Sequence, residues 1–144
     1  YTIGNPEKLK LAEEFLKVRV PFVVVEKNGE RIKEMAKIGR FLYTEGDATE
    51  DEVLLKAGAK QAKGLVTTLP SDKDNLFVIL TARGLNPNLR IVTEAVEIDE
   101  RTKLAKVGAD AIVTPSFIGG LRMASEMIRP TVVSFLDKMR PSNF

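Results

Sequence analysis

Apolar runs of three to five residues recur from end to end of this chain, with longer amphipathic segments between them. That alternation constrains the fold more than any other feature. Short, nearly continuous apolar runs suit strands covered on both faces, as in a parallel sheet. The strand candidates are Tyr1–Ile3, Phe22–Val25, Phe41–Thr44, Gly64–Thr68, Arg90–Glu94 and Ala111–Val113. Helical patterns lie between them at Pro6–Val18, Gly29–Lys37, Glu50–Ala57, Ser71–Arg83 and Asp99–Lys106. In the first, Leu9, Leu11, Ala12, Phe15 and Leu16 share one face, with Lys8, Lys10, Glu13, Glu14 and Lys17 largely outside it. Asp or Ser stands near helix starts, and Gly58, Gly84 and Gly108 stand near helix stops. Such strand–helix steps require right-handed crossovers. The expected architecture is therefore α/β: a doubly wound, mostly parallel six-stranded sheet in the order 3-2-1-4-5-6.

The first two strands carry the chemistry. Glu26 closes the run Pro21-Phe22-Val23-Val24-Val25, twenty-two residues after Gly4. In a mononucleotide-binding βαβ unit the first strand delivers a glycine to a turn, and a helix begins there with its positive end toward a phosphate. The second strand ends in a carboxylate that accepts hydrogen bonds from the ribose hydroxyls. The usual loop has three glycines, whereas Gly4-Asn5-Pro6-Glu7-Lys8-Leu9 keeps only the first. Pro6 fits a first helical turn, so the helix start survives. A side chain at the second glycine's place fills the space of a close pyrophosphate approach, which favours a mononucleotide or a degenerate, empty site over a dinucleotide.

Composition narrows the function. At 144 residues the chain fits one domain with a substantial core. Its 22 basic and 20 acidic residues form no basic stripe, so nucleic acid is not an expected partner. Cysteine and histidine are both absent, which removes disulfides, thiolate chemistry and the commonest general base and metal ligand. No apolar run approaches the roughly 18–20 residues needed to span a bilayer, and no signal peptide opens the chain. The expected location is the cytoplasm, or the cytoplasmic face of a membrane.

After the sixth run, Pro115-Ser116-Phe117-Ile118-Gly119-Gly120-Leu121 leads a helical pattern to Ile128, and Arg129-Pro130 interrupts it. Thr131–Met139 then resumes with Val132, Val133, Phe135, Leu136 and Met139, giving a helix–turn–helix hairpin. The chain thus divides into 1–115 and a tail, 116–140. Two readings of the tail's apolar faces are open: a partner surface, or packing back on the domain.

Several motifs together resemble one family. They are Gly46-Asp47-Ala48-Thr49, the segment from Val66 to Asn75 (VTTLPSDKDN), Asn86 to Ile91 (NPNLRI), and Lys106 to Pro115 (KVGADAIVTP). Arg129 to Asp137 (RPTVVSFLD) joins them. The chain is similar to the regulator-of-K+-conductance (RCK) N-terminal domain, also called the TrkA-N or KTN domain. That resemblance implies a Rossmann-like regulatory module on the cytoplasmic side of a potassium channel or transporter. It implies a homodimer through 116–139, assembly into an octameric gating ring, and binding of NAD(H) or an adenine nucleotide (ATP, ADP or AMP). It also implies a pore before residue 1 and a second lobe after residue 144. Calcium-gated relatives place carboxylates where this chain has Thr68 and Val96 and keeps only Glu94, so Ca2+ is not expected at that site.

The candidate ligand residues are Gly4, Asn5, Lys8, Glu26, Asp47, Ala48, Thr67, Thr68 and Glu94. Each has a plainer reading. Glu26 is a ribose ligand or a solvated strand end. Asp47, within Gly46-Asp47-Ala48, lies at the adenine edge or caps the next helix. Thr67 and Thr68 face ligand at the switch point or are ordinary β-branched strand residues. Ser71 and Asp72 read as helix caps. Glu94 reaches a ribose or cation or points away, and Lys8 supplements phosphate charge or sits on a helix surface. Glu26 is acidic and is read as having no arginine after it, so a ribose 2′-phosphate would meet like charge and NADP(H) should bind worse than NAD(H). A small oxidoreductase is the rival class, yet its usual proton donors are missing apart from Tyr1 and Tyr43. No catalytic residue and no metal ligand is assigned. A third reading is a dimerisation module whose nucleotide site has decayed.

Overall fold

Three consecutive valines and a glutamate, Val23–Glu26, form the first strand that the computed structural model describes, β1. The structure describes residues 6–37 and 39–128, and for residues 6–9 the backbone alone. Gly4, Asn5, the expected strand Tyr1–Ile3 and the expected second tail helix Thr131–Met139 lie outside them. In chain order the elements are α1 (Pro6–Lys17), β1, α2 (Gly29–Ala36), β2 (Leu42–Glu45), α3 (Asp51–Lys56) and β3 (Gly64–Thr67). Then follow α4 (Asp72–Leu85), β4 (Arg90–Glu94), a 3-10 turn at Ile98–Glu100, α5 (Arg101–Lys106), β5 (Ala111–Val113) and α6 (Pro115–Ile128). Two strands run one residue later than expected, so Glu26 and Glu45 are the last residues of β1 and β2 rather than loop residues.

Among the described residues the five strands form two sheets, β1–β2 and β3–β4–β5, and every pairing is parallel. Each of these pairings is contained in the expected order. What the described residues do not show is a single six-stranded sheet, because the run expected to join the two halves is Tyr1–Ile3.

Successive strand residues point to opposite faces, and both faces of β1 are covered. Val24 packs with Ala12 of α1 and Met35 of α2, joined by Phe15, Phe22, Phe41 and Val66. Val25 packs with Leu54 of α3, Val78, Ile79 and Ala82 of α4, and Leu104 of α5. Helices α1 and α2 thus cover one side and α3, α4 and α5 the other, which is the double winding expected. The three phenylalanines form a tilted and a stacked ring pair, with centroids 5.8 and 6.2 Å apart, arrangements that add modestly to their burial.

α4 shows why a residue pattern becomes an element. Asn75, Val78, Ile79 and Ala82 are its buried stripe, spaced as one helix face requires. Ser71 caps its start, accepting from the Asp74 amide at 3.4 Å. At the far end Arg83 donates to the carbonyls of Pro87, Leu89 and Gly108 and pairs with Asp110 at 3.1 Å. Asn86 adds three bonds to the carbonyls of Ala59, Lys60 and Ala62. These contacts clamp the strands' N-terminal edge and leave the C-terminal edge for other work.

Candidate functional site

The register puts Glu26 beside Glu45 and Thr67 beside Thr93, so the acidic and hydroxyl side chains singled out above fall at strand C-terminal ends. In doubly wound sheets that is the edge where ligands bind. Glu26 does not end in solvent: the residue is 4 % exposed. Its Oε1 accepts from the Asn28 amide at 3.1 Å and lies 4.0 Å from Arg31 Nη1. Asn28 in turn caps α2, its side chain accepting from the Glu30 amide at 2.9 Å. Strand end, turn and helix start therefore fix one carboxylate in place. Arg31 corrects the expectation that no arginine follows Glu26: it stands five residues on, and the first turn of α2 brings it to the carboxylate.

The turn after β2 docks onto β1 through the Gly46 amide, which donates to the Glu26 carbonyl at 2.9 Å. Glycine is required there because a Cβ would meet Val53 Cγ2 at 2.8 Å. Asp47 folds back on the turn, its Oδ1 accepting from the Thr49 hydroxyl at 2.7 Å and the Thr49 amide at 2.9 Å. Those two bonds, hydroxyl first, outweigh partial burial and hold the Asp47 carboxyl below the usual carboxylate range, with a smaller contribution from Lys27. Asp47 does not cap α3, whose N-cap position is Glu50. Ala48 is 3 % exposed and belongs to the core with Leu54 and Val25, so its backbone is what a ligand could meet.

After β3 the controlling residue is one the sequence reading did not assign. Asn75, fully buried in α4, accepts through Oδ1 from the Thr67 hydroxyl at 2.8 Å and the Leu69 amide at 2.9 Å. Its Nδ2 donates to the Leu69 carbonyl at 3.0 Å and the Glu94 carbonyl at 3.3 Å. One side chain thus ties the ends of β3 and β4 to a helix, and Thr67 is spent on that task rather than turned outward. The signal in the sequence was a polar residue on an otherwise apolar helix stripe. Thr68 and Glu94, both half-buried, flank this hub. Ser71 caps α4 as expected, whereas Asp72 bridges to the Val96 and Glu97 amides at 2.7 and 2.9 Å. Lys8 lies in α1, and its side chain is not among those described. The structure therefore brings Glu26 and Asp47 to one pair of strand ends and Thr67, Thr68 and Glu94 to the other.

A groove of about 640 Å3 opens beside this edge between Ser71, Asp72, Leu76, Val96 and Glu97. None of the described candidates Glu26, Asp47, Ala48, Thr67, Thr68 and Glu94 lines it. Among the described residues no group of three or more acidic side chains is arranged to hold a metal ion, and no helix is long and apolar enough to cross a membrane.

Fold and strand-end arrangement together define a Rossmann-like domain, and the family model for the TrkA-N domain matches residues 9–115. The chain belongs to the TrkA-N family. It is 45 % identical over 129 residues to probable potassium channel protein 2 of Methanocaldococcus jannaschii, covering 88 % of this chain and 38 % of that protein. It is 38 % identical over 130 residues to potassium channel protein 1 of the same organism, covering 90 % and 39 %. The chain thus spans about two fifths of these relatives. Among solved structures it resembles the TrkA-N domain of the inner membrane protein YbaL from Escherichia coli, with TM-score 0.76, 25 % identity, and 90 % and 93 % of the two chains covered. It also resembles the GsuK channel bound to NAD, with TM-score 0.71, 25 % identity, and 78 % and 20 % covered. A second GsuK structure, bound to ADP, gives TM-score 0.71 and 25 % identity over 78 % and 30 %.

Proposed function

We propose that this chain is the nucleotide-sensing regulatory domain of a potassium channel or transporter, acting on the cytoplasmic side of the membrane without catalysis. The observation that carries this reading is the buried carboxylate of Glu26, pinned at a strand C-terminus by the Asn28 amide in a chain of the TrkA-N family. A carboxylate so placed accepts hydrogen bonds from the hydroxyls of a ribose. The NAD and ADP bound in GsuK structures support NAD(H) or an adenine nucleotide as the ligand class. In this reading the sheet has the six-stranded order 3-2-1-4-5-6. Residues 116–139 form the dimerisation hairpin, and dimers build an octameric ring. A ligand gates such an assembly only by binding one ring conformation better than another, so the coupling equals that difference in affinity.

The decayed-site alternative draws on two observations: one glycine in the loop instead of three, and a Thr67 hydroxyl already engaged with Asn75. Calorimetric titration with NAD+, ADP and AMP separates the two. The expected result is binding by the parent and, for Glu26→Ala, a loss of about 1–3 kcal/mol, the scale of a hydrogen bond to a charged group. No binding of any of the three nucleotides would favour the decayed site. Unchanged affinity in the variant would remove Glu26 from the ligand contact.

A further inference from the structure

With Glu26 as the only charge at the ribose, a 2′-phosphate would be repelled, and the fold changes that balance. α2 begins three residues after β1 ends, and its first turn carries Arg31 Nη1 to within 4.0 Å of Glu26 Oε1. The partners differ in exposure: the carboxylate side chain is 6 % exposed and the arginine 47 %. The anion is therefore buried, while about half of the arginine side chain remains exposed beside it. A second cation is at hand, since Lys27 contributes to the depressed ionisation of Asp47. A guanidinium fork matches phosphate bidentately, and an arginine near this strand end is the group that accommodates a ribose 2′-phosphate.

We propose that Arg31 is a specificity-determining residue of this site, offsetting the charge of Glu26 and admitting ligands that carry a phosphate at the ribose 2′ position. The inference rests on the nucleotide reading above. AMP and 2′,5′-ADP, which differ only by that phosphate, are the probes. Calorimetry on the chain and on Arg31→Gln should show the parent binding the two within about tenfold of each other. Arg31→Gln should lose about tenfold for 2′,5′-ADP and less than about threefold for AMP, as expected for one partly exposed charge-assisted contact. Arg31→Lys should recover part of the loss, and the difference between probes should shrink at about 0.5 M salt, where exposed charges are screened. A parent that binds AMP but excludes 2′,5′-ADP by about a hundredfold or more overturns the proposal, as does a Gln variant that weakens both probes equally. A parent that binds neither probe overturns this inference, and if NAD+ and ADP also fail to bind, the nucleotide reading falls with it.

Discussion

At the residue scale, the site rests on side chains used twice, once for structure and once for placement. Asn75 makes four hydrogen bonds from a fully buried position. Removing it takes this partner from the Thr67 hydroxyl and from the Leu69 amide and carbonyl, while the Glu94 carbonyl keeps the Thr93 hydroxyl at 3.0 Å. Each buried group left unpaired costs roughly 1–3 kcal/mol, and some of these will find water, so Asn75→Ala should cost about 2–4 kcal/mol in denaturant unfolding. Thr67→Val removes one partner of one bond and should cost about 1 kcal/mol. Equal losses would show that Asn75 is not the hub. Asp47 makes a prediction in pH. Its folded ionisation lies below the unfolded value near 3.9, so the unfolded state binds more protons through that window. Its stabilisation is fully present above about pH 4–5 and disappears as pH falls through the folded value. Thermal melts of the parent between about pH 5 and 2 should decline more steeply than those of Asp47→Asn. Parallel curves would mean that the Thr49 bonds do not discriminate between charge states.

At the element scale, α4 presents two faces with opposite consequences. Ile79 is fully buried between the strands and α3, while Phe77 and Leu80 on the other side are each 46 % exposed. Ile79→Ala should cost about 2–5 kcal/mol, the transfer term plus the cavity. Phe77→Ala should cost well under half as much on a single domain, since an exposed ring has little burial to lose. Denaturant midpoints at unchanged slope measure both. A costly Phe77→Ala would show that the outer face of α4 is covered in solution.

At the scale of the whole molecule, α6 stands apart. No residue in it is buried, and Phe117, Leu121, Met123, Met127 and Ile128 are 46–84 % exposed. Apolar surface of this extent on one helix is what the proposed dimer would cover. With the tail hairpin of the proposed reading, a two-fold dimer covers it symmetrically. Light scattering should give a dimer for the parent and a monomer or aggregate for Leu121→Asp, where an unpaired charge in the seam opposes association by several kcal/mol. A parent that is monomeric at tens of micromolar contradicts the dimer.

The sequence by itself determined the element order and the parallel, doubly wound class. Those follow from local periodicity, and Val24 and Val25 could go only to opposite faces once a strand formed. It also placed Glu26, Thr67 and Glu94 at strand ends and Asp47 just after one, because a strand's length fixes where its last residue lies. Tertiary structure decided which of those side chains remain for a ligand. Thr67 and Asn75 are eight residues apart and Glu94 lies nineteen beyond Asn75, so no local pattern could show that they converge. Arg31 illustrates the point most sharply. The charge expectation passes over Arg31, five residues after Glu26, while the first turn of α2 returns it to the carboxylate. Electrostatics acts through distance in space, and that distance exists only after the chain has folded.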